Sequence, residues 1–514
     1  MATASLPPLI EQMLQPEFYP HPVESPIQLM QTHVSYVLLT GDFAYKVKKP
    51  VDFGFLNYST LEKRQHFCAE ELRLNQRAAA PLYLEALPIA QQGDRFILGD
   101  SEAVDTVEYT VKMRQFPQAT LLSHLFEQGG LTEDLLRKLA EAIADFHLKA
   151  ETDDYIRNFG TVENVRQSID ENYEQTVGFI GGPQTQQQFD ETKAYTDNFF
   201  ATQAALLQQR MNQGKIRACH GDLHLNNICY WQDELLLFDC IEFNEPFRFV
   251  DVMFDIAYII MDLTVQGRQD LAAIFLSHYV ECTGDWEGLQ VLPLYVSRQS
   301  YVRAKVTSFL LGDPSIDAAT KQAASDKAAK YYTLAWSYVQ PQTGRFLIMS
   351  GLSGAGKSTI SKALSRELGG IYIRSDAVRK HLAGVPLQER GDDSLYTTEM
   401  SQQTYTRLTE LGGLLASLGY TVILDAKFDR VATRQLAIAQ AQAHHVPLSI
   451  VHCDAPAEIL AQRVRDRQGD IADATVAVLA NQQLEPFTAE EKPYVKQVDT
   501  TQPLAAQLAT IVEA

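Results

Sequence analysis

The chain has 514 residues, of which 46% are hydrophobic, 21% charged and 10% aromatic. This composition is typical of a packed globular protein, and the length suits two or three domains of roughly 100–200 residues each. The 44 Lys and Arg residues against 64 Asp and Glu residues leave a net charge of −20. Such acidity disfavours nucleic acid as a general partner, because affinity for nucleic acid depends on neutralising phosphates.

The sequence contains no run of roughly 20 apolar residues of the kind that crosses a membrane. Its first residues, MATASLPPLIEQ, lack the basic start and apolar core of a signal peptide. The six cysteines form no CxxC pair and no zinc-like spacing, which favours reduced thiols in a reducing compartment. We therefore expect a cytoplasmic protein without a membrane partner. Nothing in the sequence predicts its oligomeric state.

A loop signal near residue 340 predicts a domain boundary. The segment YVQPQTGRFLIMSG places Pro, Gln and Gly between a helix-like aromatic stretch and a new apolar run. From Gly344 onward there are 17 basic and 19 acidic residues, a net charge of −2, whereas the remainder has 27 and 45, a net charge of −18. We predict one domain over residues 1–340 and a second over residues 344–514.

The two domains show different secondary-structure patterns. The N-terminal domain opens with the strand-like runs SYVLLT, FAYKVKK and VEYTVKM and continues mostly as helix from Leu121, which predicts an α+β pair of lobes. The C-terminal domain alternates helical patterns with short apolar runs, which predicts a parallel sheet covered on both faces. These runs are residues 346–350, 370–375, 420–425 and 448–453.

The segment GLSGAGKS at residues 351–358 matches the phosphate-binding pattern GxxxxGK[ST], after a strand-like run and before a helical one. Glycines allow successive N–H groups to turn inward, and the helix N-terminus adds partial positive charge. We expect Lys357 to reach the β- and γ-phosphates of ATP and the Ser358 hydroxyl to ligate Mg²⁺. The predicted nucleotide-binding residues are Gly351, Ser353, Gly354, Ala355, Gly356, Lys357, Ser358 and Thr359.

Two carboxylates and a group of arginines follow this loop. Asp376 comes just after the run IYIRS, where it can act as a general base or as a helix N-cap. Asp425 ends the run TVIL and can hold Mg²⁺ directly or through water. Arg463, Arg465 and Arg467 suit a lid that closes over phosphate charge, with a solvated basic face as the alternative.

Residues 346–490 resemble the P-loop kinases that include zeta-toxin, gluconate kinase and polynucleotide 5′-kinase relatives. The matching segments are GLSGAGKST, SDAVRK, LDAKF and RVRDRQGDIADAT. The resemblance implies that Asp376 activates the acceptor hydroxyl, that Arg379 helps to hold the substrate, and that Arg463 and Arg467 are lid arginines. It implies phosphoryl transfer more firmly than it implies any one acceptor.

A second phosphotransferase signature lies at residues 220–227, HGDLHLNN. In protein-kinase-like folds the pattern HxDxxxxN lets the Asp accept a proton from the acceptor hydroxyl while the Asn ligates Mg²⁺. Seventeen residues after Asp222, the run ELLLFD ends in Asp239, placed like the metal-binding Asp of those folds. We predict Asp222 as catalytic base, with Asn227 and Asp239 as ligands of Mg²⁺.

The residues upstream of this signature resemble a nucleotide-binding lobe. The run FAYKVKKP places Lys46 on a strand, where it can pair with nucleotide phosphates, and the next helical segment carries its candidate partner Glu71. Lys48 and Glu70 are the neighbouring alternatives. The segment VEYTVKMRQFP predicts a hinge whose backbone meets adenine near Met113.

About residues 35–310 resemble the aminoglycoside phosphotransferase and choline-kinase-like family. The segments HGDLHLNNI, LFDCIEFN and FVDVMFDIAYIIMDL carry the match. One departure is the lack of a GxGxxG loop, since Gly41 stands alone before Asp42. Related members phosphorylate many small alcohols, so the resemblance implies ATP, Mg²⁺ and a small-molecule acceptor without implying antibiotic modification.

Together these features predict a bifunctional ATP-dependent kinase that phosphorylates hydroxyl groups of small molecules. Its expected fold class is an α+β bilobal protein-kinase-like domain followed by an α/β P-loop domain with a parallel sheet. The alternatives are one active P-loop kinase with a nucleotide-binding regulatory N-terminal domain, and a nucleic-acid 5′-end kinase; a toxin-like P-loop domain is a variant. The acidity of the first domain favours an amine-bearing or neutral acceptor, unless it serves only solubility.

Overall fold

The computed structural model describes residues 6–99, 105–389, 391–466 and 483–512. Its contacts divide the chain into two compact units. The first unit comprises Met1–Thr132, Phe146–Gln167 and Ala204–Ile259, and the second comprises Glu133–Asp145, Ser168–Gln203 and Ile260–Ala514. Among the described residues, no helix has the length and apolarity needed to span a membrane.

An antiparallel sheet of six strands forms the start of the first unit, in the order β1-β2-β3-β6-β4-β5. Residues of alternating orientation on its strands, including Tyr45, Val47 and Ile89, are buried in one apolar cluster, as expected for a sheet with one face on a core. The strands are β1 Gln28–Gln31, β2 Ser35–Leu39, β3 Phe43–Lys48, β4 Tyr83–Gln92, β5 Arg95–Leu98 and β6 Thr106–Arg114.

Helices α1 (Pro8–Met13) and α2 (Leu61–Ala79) belong to this sheet region. Thr60 caps the N-terminus of α2, because its hydroxyl accepts a hydrogen bond from the backbone N–H of Lys63. The helix packs against β4 and β6, and Glu71 is on its buried side. Helix α2 therefore carries a carboxylate toward the sheet.

Two short ribbons complete the strands of the first unit. One pairs β7 (Ile216–Ala218) with β10 (Phe249–Asp251), and the other is the hairpin of β8 (Ile228–Trp231) and β9 (Glu234–Leu237). The turn residues of the hairpin, Gln232 and Asp233, both have positive φ, 52° and 64°, as in a type I′ turn. The ribbons flank the loop that carries the HxDxxxxN signature.

Most of the chain between Leu121 and the second sheet is helical, as the sequence predicts. Helix α12 ends at Ser337 and β11 begins at Arg345, so the predicted boundary near residue 340 lies between two elements. The helices are α3 Leu122–Glu127, α4 Glu133–Lys149, α5 Asp154–Arg157, α6 Val162–Thr176, α7 Gln186–Asn212, α8 Glu245–Arg248, α9 Val252–Thr264, α10 Gln269–Thr283, α11 Leu292–Phe309 and α12 Ala318–Ser337.

A five-stranded parallel sheet lies in the second unit, in the order β12-β13-β11-β14-β15. Nearly every residue of β11 is buried, as expected for a strand covered on both faces. The chain crosses over β11 between its neighbours β13 and β14, and open α/β sheets bind ligands at such a switch point. The strands are β11 Arg345–Ser350, β12 Ile371–Arg374, β13 Thr421–Asp425, β14 Leu448–Asp454 and β15 Val495–Asp499.

The four apolar runs predicted as strands correspond to β11–β14. The fifth strand, β15, has the polar sequence VKQVD and buries only Val498 well, so its hydrophobic pattern predicts no strand. The helices of this part are α13 Lys357–Leu368, α14 Ser375–Ala383, α15 Thr398–Ser417, α16 Val431–Ala443, α17 Ala457–Asp466 and α18 Leu504–Val512.

Candidate active sites

Lys46 on β3 is the centre of the candidate site in the first unit. Its Nζ lies 2.8 Å from Glu71 Oε1 on α2 and 2.6 Å from Asp239 Oδ1, which follows β9. Burial acts to lower the pKa of Lys46, but the carboxylates of Asp239 and Glu71 outweigh burial and raise this pKa well above its ordinary value. Lys46 therefore stays charged and joins three elements that are distant in the sequence.

Lys48, the alternative to Lys46, has a different environment. Its Nζ lies 2.6 Å from Glu71 Oε2 and donates a second hydrogen bond to Glu242. The side chain of Lys48 is 1% exposed, whereas that of Lys46 is 15% exposed. Glu70, the alternative to Glu71, contacts neither lysine and pairs with Arg73 on its own helix. The structure thus places Lys46 and Glu71 beside Asp239. Lys48 is more deeply buried and pairs with Glu71 and Glu242.

Asp222 lies in the loop between β7 and β8, beside Asn227. The Asn227 amide Nδ2 donates to the Asp222 carbonyl O at 3.0 Å and to its Oδ2 at 3.3 Å. His224 Nε2 lies 3.2 Å from the same Oδ2. Within the described residues, no donor hydrogen-bonds to the amide oxygen of Asn227. The loop thus fixes the orientation of Asp222 and leaves an amide oxygen for a cation.

The buried carboxylate of Asp255 on α9 holds this loop in place. Its Oδ1 accepts the N–H of Gly221 at 2.8 Å, and its Oδ2 accepts the N–H of His220 at 3.0 Å and contacts His147 Nε2 at 3.0 Å. Burial acts to raise the pKa of Asp255, but the hydrogen bond from His147 and nearby positive charge outweigh burial and lower this pKa. Asp255 therefore anchors the two residues that precede Asp222.

The group His147, Cys219 and Asp255 also has the spacing of a metal site. Both oxygens of Asp255 already accept backbone N–H groups, and burial raises the pKa of the Cys219 thiol well above its ordinary value. These hydrogen bonds fix the backbone just before Asp222. The group is therefore explained by its structural role in the loop.

Asp239 has the backbone conformation of a constrained functional residue. Its φ is +62°, in the left-handed region that non-glycine residues rarely adopt. Its N–H donates to the Tyr83 hydroxyl at 3.1 Å, while its carboxylate is 47% exposed. Phe238 N–H donates to the Asn227 carbonyl at 2.9 Å, which ties the two predicted metal-ligand segments together. Carboxylate and amide oxygens suit Mg²⁺, so these residues fit a magnesium site.

Met113 lies inside strand β6, opposite Ala44 of β3 and Tyr83 of β4. The strand ends one residue later, at Arg114. The turn between β2 and β3 contains Gly41, whose N–H donates to Gln115 Oε1 at 3.0 Å. The segment after Met113 therefore lies against this turn, and the contact of Met113 with adenine stays a prediction.

In the second unit, the glycine-rich loop joins β11 to α13 in the manner that its sequence predicts. Gly351, Gly354 and Gly356 have φ of +138°, +80° and +83°. A Cβ at Gly351 would lie 2.4 Å from the Cys453 carbonyl O, and one at Gly354 would lie 2.6 Å from the Leu460 carbonyl O. Only glycine fits these positions, and the backbone they allow is the cradle that phosphates require.

The remaining loop residues lie at the start of α13. Lys357 is the first residue of this helix, followed by Ser358 and Thr359. Lys357 Nζ donates to the Leu352 carbonyl O at 2.8 Å, so the side chain folds back along the loop. The helix N-terminus and this ammonium place positive charge on the same loop, which fits a bound phosphate.

Asp376 and Arg379 lie together on α14, at the carboxyl end of β12. Arg374, not Asp376, occupies the N-cap position, and Asp376 is in the first turn of the helix. Arg379 Nη1 donates to Asp376 Oδ1 at 3.0 Å, and its guanidinium lies 4.9 Å from the ring centroid of Tyr396. Arg379 is 8% exposed, and its Nε has no hydrogen-bond partner in the described part of the chain.

Asp425 ends β13 at the same edge of the sheet, opposite Arg374 in the register of β12. Its carboxylate is buried, and its Oδ2 accepts a hydrogen bond of 2.7 Å from the Tyr372 hydroxyl. Because β12 and β13 are parallel, their carboxyl ends bring Asp376 and Asp425 to one edge. The oxygens of Ser358 and Asp425 are of the chemical type that Mg²⁺ prefers.

Arg463 on α17 contacts both the glycine-rich loop and the end of β15. Its Nη1 donates to Thr500 Oγ1 at 2.9 Å and to the Gly354 carbonyl O at 3.4 Å, and its Nη2 donates to the Thr500 carbonyl O at 2.9 Å. Arg465 is exposed. Arg467 lies outside the described residues, so its predicted place in a lid stays a prediction.

Sequence patterns assign no role to several residues of these sites, because their neighbours in space come from other strands and helices. These residues are Tyr83, Glu242, Asp255, Tyr372 and Thr500. Two of them, Glu242 and Asp255, lie within the segments LFDCIEFN and FVDVMFDIAYIIMDL, which carry the family resemblance.

Comparison with known proteins identifies both parts of the chain. The model of the phosphotransferase enzyme family matches residues 107–292, and an AAA domain model matches residues 346–486. An adenylyl-sulfate kinase of Deinococcus deserti is 32% identical over 154 residues, which cover 30% of this chain and 76% of that protein. The two resemblances predicted from the sequence are confirmed, and so is the predicted fold class.

Two solved structures each match a share of the chain. A choline/ethanolamine kinase family protein from Mesorhizobium loti covers 65% of this chain and 99% of that chain, with 10% identity and a TM-score of 0.38. A gluconokinase from Sinorhizobium meliloti covers 34% of this chain and 96% of that chain, with 23% identity and a TM-score of 0.25.

One group of relatives extends over both parts. The uncharacterized protein Rv2004c of Mycobacterium tuberculosis is 30% identical over 468 residues, which cover 90% of each chain. This chain carries two kinase-type domains, and it belongs to the family of this mycobacterial protein.

Proposed function

We propose that the chain is a bifunctional ATP-dependent kinase that transfers the γ-phosphate of ATP to hydroxyl groups of small molecules at two separate sites. The observation that carries the proposal is the position of Lys46. It contacts Glu71 and Asp239, which are 25 and 193 positions away in the sequence. A kinase-like site requires this combination of a lysine, its helix-borne partner and the metal-binding aspartate.

In the first site, Asp222 accepts the proton of the acceptor hydroxyl. The acceptor oxygen then bonds to the γ-phosphorus, and the bond from this phosphorus to the β–γ bridging oxygen breaks, which releases ADP. Lys46 offsets negative charge on the phosphates. Asn227 and Asp239 would hold Mg²⁺, which when bound neutralises further phosphate charge.

In the second site, the backbone N–H groups of residues 351–358 and the ammonium of Lys357 bind the phosphates. Asp376 takes the role of base, and Arg379 offers the acceptor its Nε, which has no hydrogen-bond partner among the described residues. Ser358 and Asp425 would hold Mg²⁺. The acceptors themselves are expected to be small molecules, and the acidity of the N-terminal domain favours an amine-bearing or neutral acceptor there.

One observation favours a second candidate, in which only the P-loop site is catalytic and the first unit binds nucleotide as a regulator. The turn between β2 and β3 is short and contains the single glycine Gly41, so a glycine-rich cover for the phosphates is missing from this turn. Protein kinases use such a cover.

The test is phosphoryl transfer from ATP by the full chain across a panel of amino alcohols, sugars, nucleosides and a 5′-hydroxyl oligonucleotide. The variants are Asp222→Ala, Lys357→Ala and, as control, Lys327→Ala at an exposed position of α12. We expect Asp222→Ala and Lys357→Ala to abolish transfer to different acceptors and the control to retain both activities.

The other outcomes separate the alternatives. Loss of all transfer in Lys357→Ala with full transfer in Asp222→Ala would support the regulatory candidate and contradict a bifunctional kinase. Labelling of the oligonucleotide alone would support a nucleic-acid end kinase.

A further inference from the structure

Helix α10 covers the open edge of the P-loop sheet. Strand β12 is at the end of the strand order, so within the described part of the chain one side of its backbone has no neighbouring strand. The N–H of Tyr372 on this edge donates to Ser277 Oγ of α10 at 3.0 Å, and both residues are buried. Sheets commonly protect an edge in this way. Helix α10 lies within residues 107–292, which match the phosphotransferase family model.

Glu281 on α10 forms a two-point ion pair with Arg374, the residue immediately before α14. Arg374 Nε donates to Glu281 Oε2 at 2.7 Å, and Arg374 Nη2 donates to Oε1. Glu281 is buried. Paired guanidinium and carboxylate groups of this kind fix orientation as well as distance. Because Arg374 is the N-cap residue of α14, the pair sets where this helix begins, two residues before Asp376.

The other end of α14 contacts the same segment. His381 Nε2 lies 2.7 Å from the Glu281 backbone carbonyl O, and its ring meets Trp286 edge-on with centroids 5.3 Å apart. Gly284 gives the close approach, since a Cβ there would lie 2.7 Å from His381 Nδ1. Both ends of α14 are therefore held by residues 281–286.

His278 lies beside this ion pair and also contacts a second carboxylate. His278 Nδ1 lies 3.7 Å from Glu281 Oε1, and His278 Nε2 lies 2.9 Å from Glu141 Oε1 on α4. The carboxylate of Glu281 thus has Arg374 on one side and an imidazole on the other. Removing its charge would take one anionic partner from the half-buried guanidinium of Arg374, which is costly in a protein interior.

We infer that Glu281 is a positioning residue for the acceptor end of the P-loop site, because it holds both ends of the helix that carries Asp376 and Arg379. This inference rests on the proposed function, in which Asp376 is the base of that site. A helix of nine residues is too short to be stable alone, so its place depends on these contacts. The P-loop kinase therefore needs a helix from the phosphotransferase-family region to form its acceptor site.

Hydrogen exchange of the full chain, followed by mass spectrometry, tests the positioning directly. In Glu281→Gln we expect exchange of the α14 peptide to rise at least about tenfold, with α13 unchanged. The control is Glu287→Gln, which weakens a more exposed ion pair to Arg407 on α15 and should leave α14 unchanged. His381→Gln keeps the Glu281–Arg374 pair and should raise exchange only in the C-terminal half of α14.

An unchanged α14 in Glu281→Gln would overturn the inference. An equal rise over α13, α14 and α15 would overturn it as well, because Glu281 would then be a general stabilising residue. These outcomes do not depend on which acceptor the site uses.

Steady-state kinetics with a P-loop acceptor found in the panel provides the functional readout. We expect Glu281→Gln to raise KM for the acceptor at least about fivefold while KM for ATP stays within about twofold, since the predicted nucleotide-binding residues lie in the glycine-rich loop and the first turn of α13, not on α14. An unchanged acceptor KM alongside faster α14 exchange would overturn the positioning role. If the wild type phosphorylates no acceptor at this site, the proposed function fails, and the exchange data alone decide whether Glu281 holds α14.

Discussion

Lys46 and Asp239 form an ion pair, with Lys46 Nζ 2.6 Å from Asp239 Oδ1, across 193 positions of sequence. Burial acts to raise the pKa of Asp239, but the Lys46 ammonium outweighs burial and holds this pKa below its ordinary value. Both groups are thus ionised at neutral pH. The predicted phosphate-binding cation and the predicted metal-binding carboxylate therefore hold each other in place.

Replacing Lys46 is expected to remove phosphoryl transfer at the first site without unfolding the protein. Lys46→Met deletes the ammonium that offsets phosphate charge, so we expect kcat/KM for the first-site acceptor to fall by about 10²–10³-fold. Transfer at the P-loop site serves as the internal control and should be unchanged. Retained first-site turnover in this variant would contradict the assignment of Lys46.

The neighbouring lysine should behave differently. Lys48→Met leaves Glu71 and Glu242 buried without this cation, and breaking a buried pair from one side costs about 3–5 kcal/mol. We therefore expect a clear fall in Tm of the full chain, whereas Lys46→Met, at a more open position, should change Tm much less. Equal effects of the two substitutions on Tm would show that the burial difference between the lysines has no energetic consequence.

The sites that the sequence predicts are those whose residues lie close together in the chain. The spacing of Asp222 and Asn227, and the glycines before Lys357, follow from local backbone geometry, so a short motif is sufficient to find them. Lys46 and Lys48 are two positions apart on β3, so their side chains point to the same face of the sheet. Their different roles depend on Asp239 and Glu242, which no local pattern connects to β3.

The features that the sequence does not predict come from packing between distant elements. Glu281 lies on a helix whose sequence contains no motif, and its inferred role depends on its ion pair with Arg374, 93 positions later. Tyr372 contacts Asp425 only because β12 and β13 are neighbours. Strand β15 is polar at the edge of its sheet and lacks the apolar run of a buried strand. Composition predicts a boundary near residue 340, and it does not show that α10 packs on the P-loop sheet.

Two glycines with positive φ provide a matched test of the phosphate loop. Gly354 has φ of +80° and Gly384 has φ of +67°; a Cβ at Gly354 would lie 2.6 Å from the Leu460 carbonyl O, whereas a Cβ at Gly384 would meet nothing within 4 Å. Gly354→Ala should therefore displace the loop backbone and raise the Kd for ATP at this site at least about tenfold.

Gly384→Ala carries the backbone strain without the clash, so we expect its ATP affinity to stay near that of the wild type, with a stability loss of about 1 kcal/mol. Calorimetric titration with ATP, with Asp222→Ala in the background to disable transfer at the first site, measures both variants. Equal affinities in the two variants would mean that close packing of the loop does not shape its phosphate site.

Lys305 on α11 gives the second unit a pH-dependent stability. Its Nζ donates to Asn172 Oδ1 at 2.7 Å and to Gln175 Oε1 at 2.8 Å, both uncharged amides. Burial, followed by the nearby charge of Arg298, lowers the pKa of Lys305 to about 8. In an unfolded chain the pKa of lysine is about 10.4. Folding therefore disfavours the charged form of this side chain.

The sign follows from proton binding. Below about pH 8 Lys305 is protonated in both the folded and the unfolded protein, so folding bears the full cost of burying its charge. Between about pH 8 and pH 10 Lys305 is protonated mainly in the unfolded protein, which therefore binds more protons than the folded one. The stability contribution of Lys305 should then rise with pH over this interval. We expect the Tm difference between wild type and Lys305→Met to be constant below about pH 7 and to shift in favour of the wild type from about pH 8 to pH 10.

The matched control is Lys327→Met, which removes an exposed lysine from α12 and should give a Tm difference that does not vary over the same interval. Thermal unfolding of the three proteins at half-unit steps of pH supplies the comparison. Groups that titrate alike in wild type and variant do not contribute to the Tm difference between them. A Tm difference that changes with pH for Lys305→Met and not for Lys327→Met is therefore assigned to Lys305. A flat difference in both variants would show that the two amides stabilise the charged ammonium as well as water does.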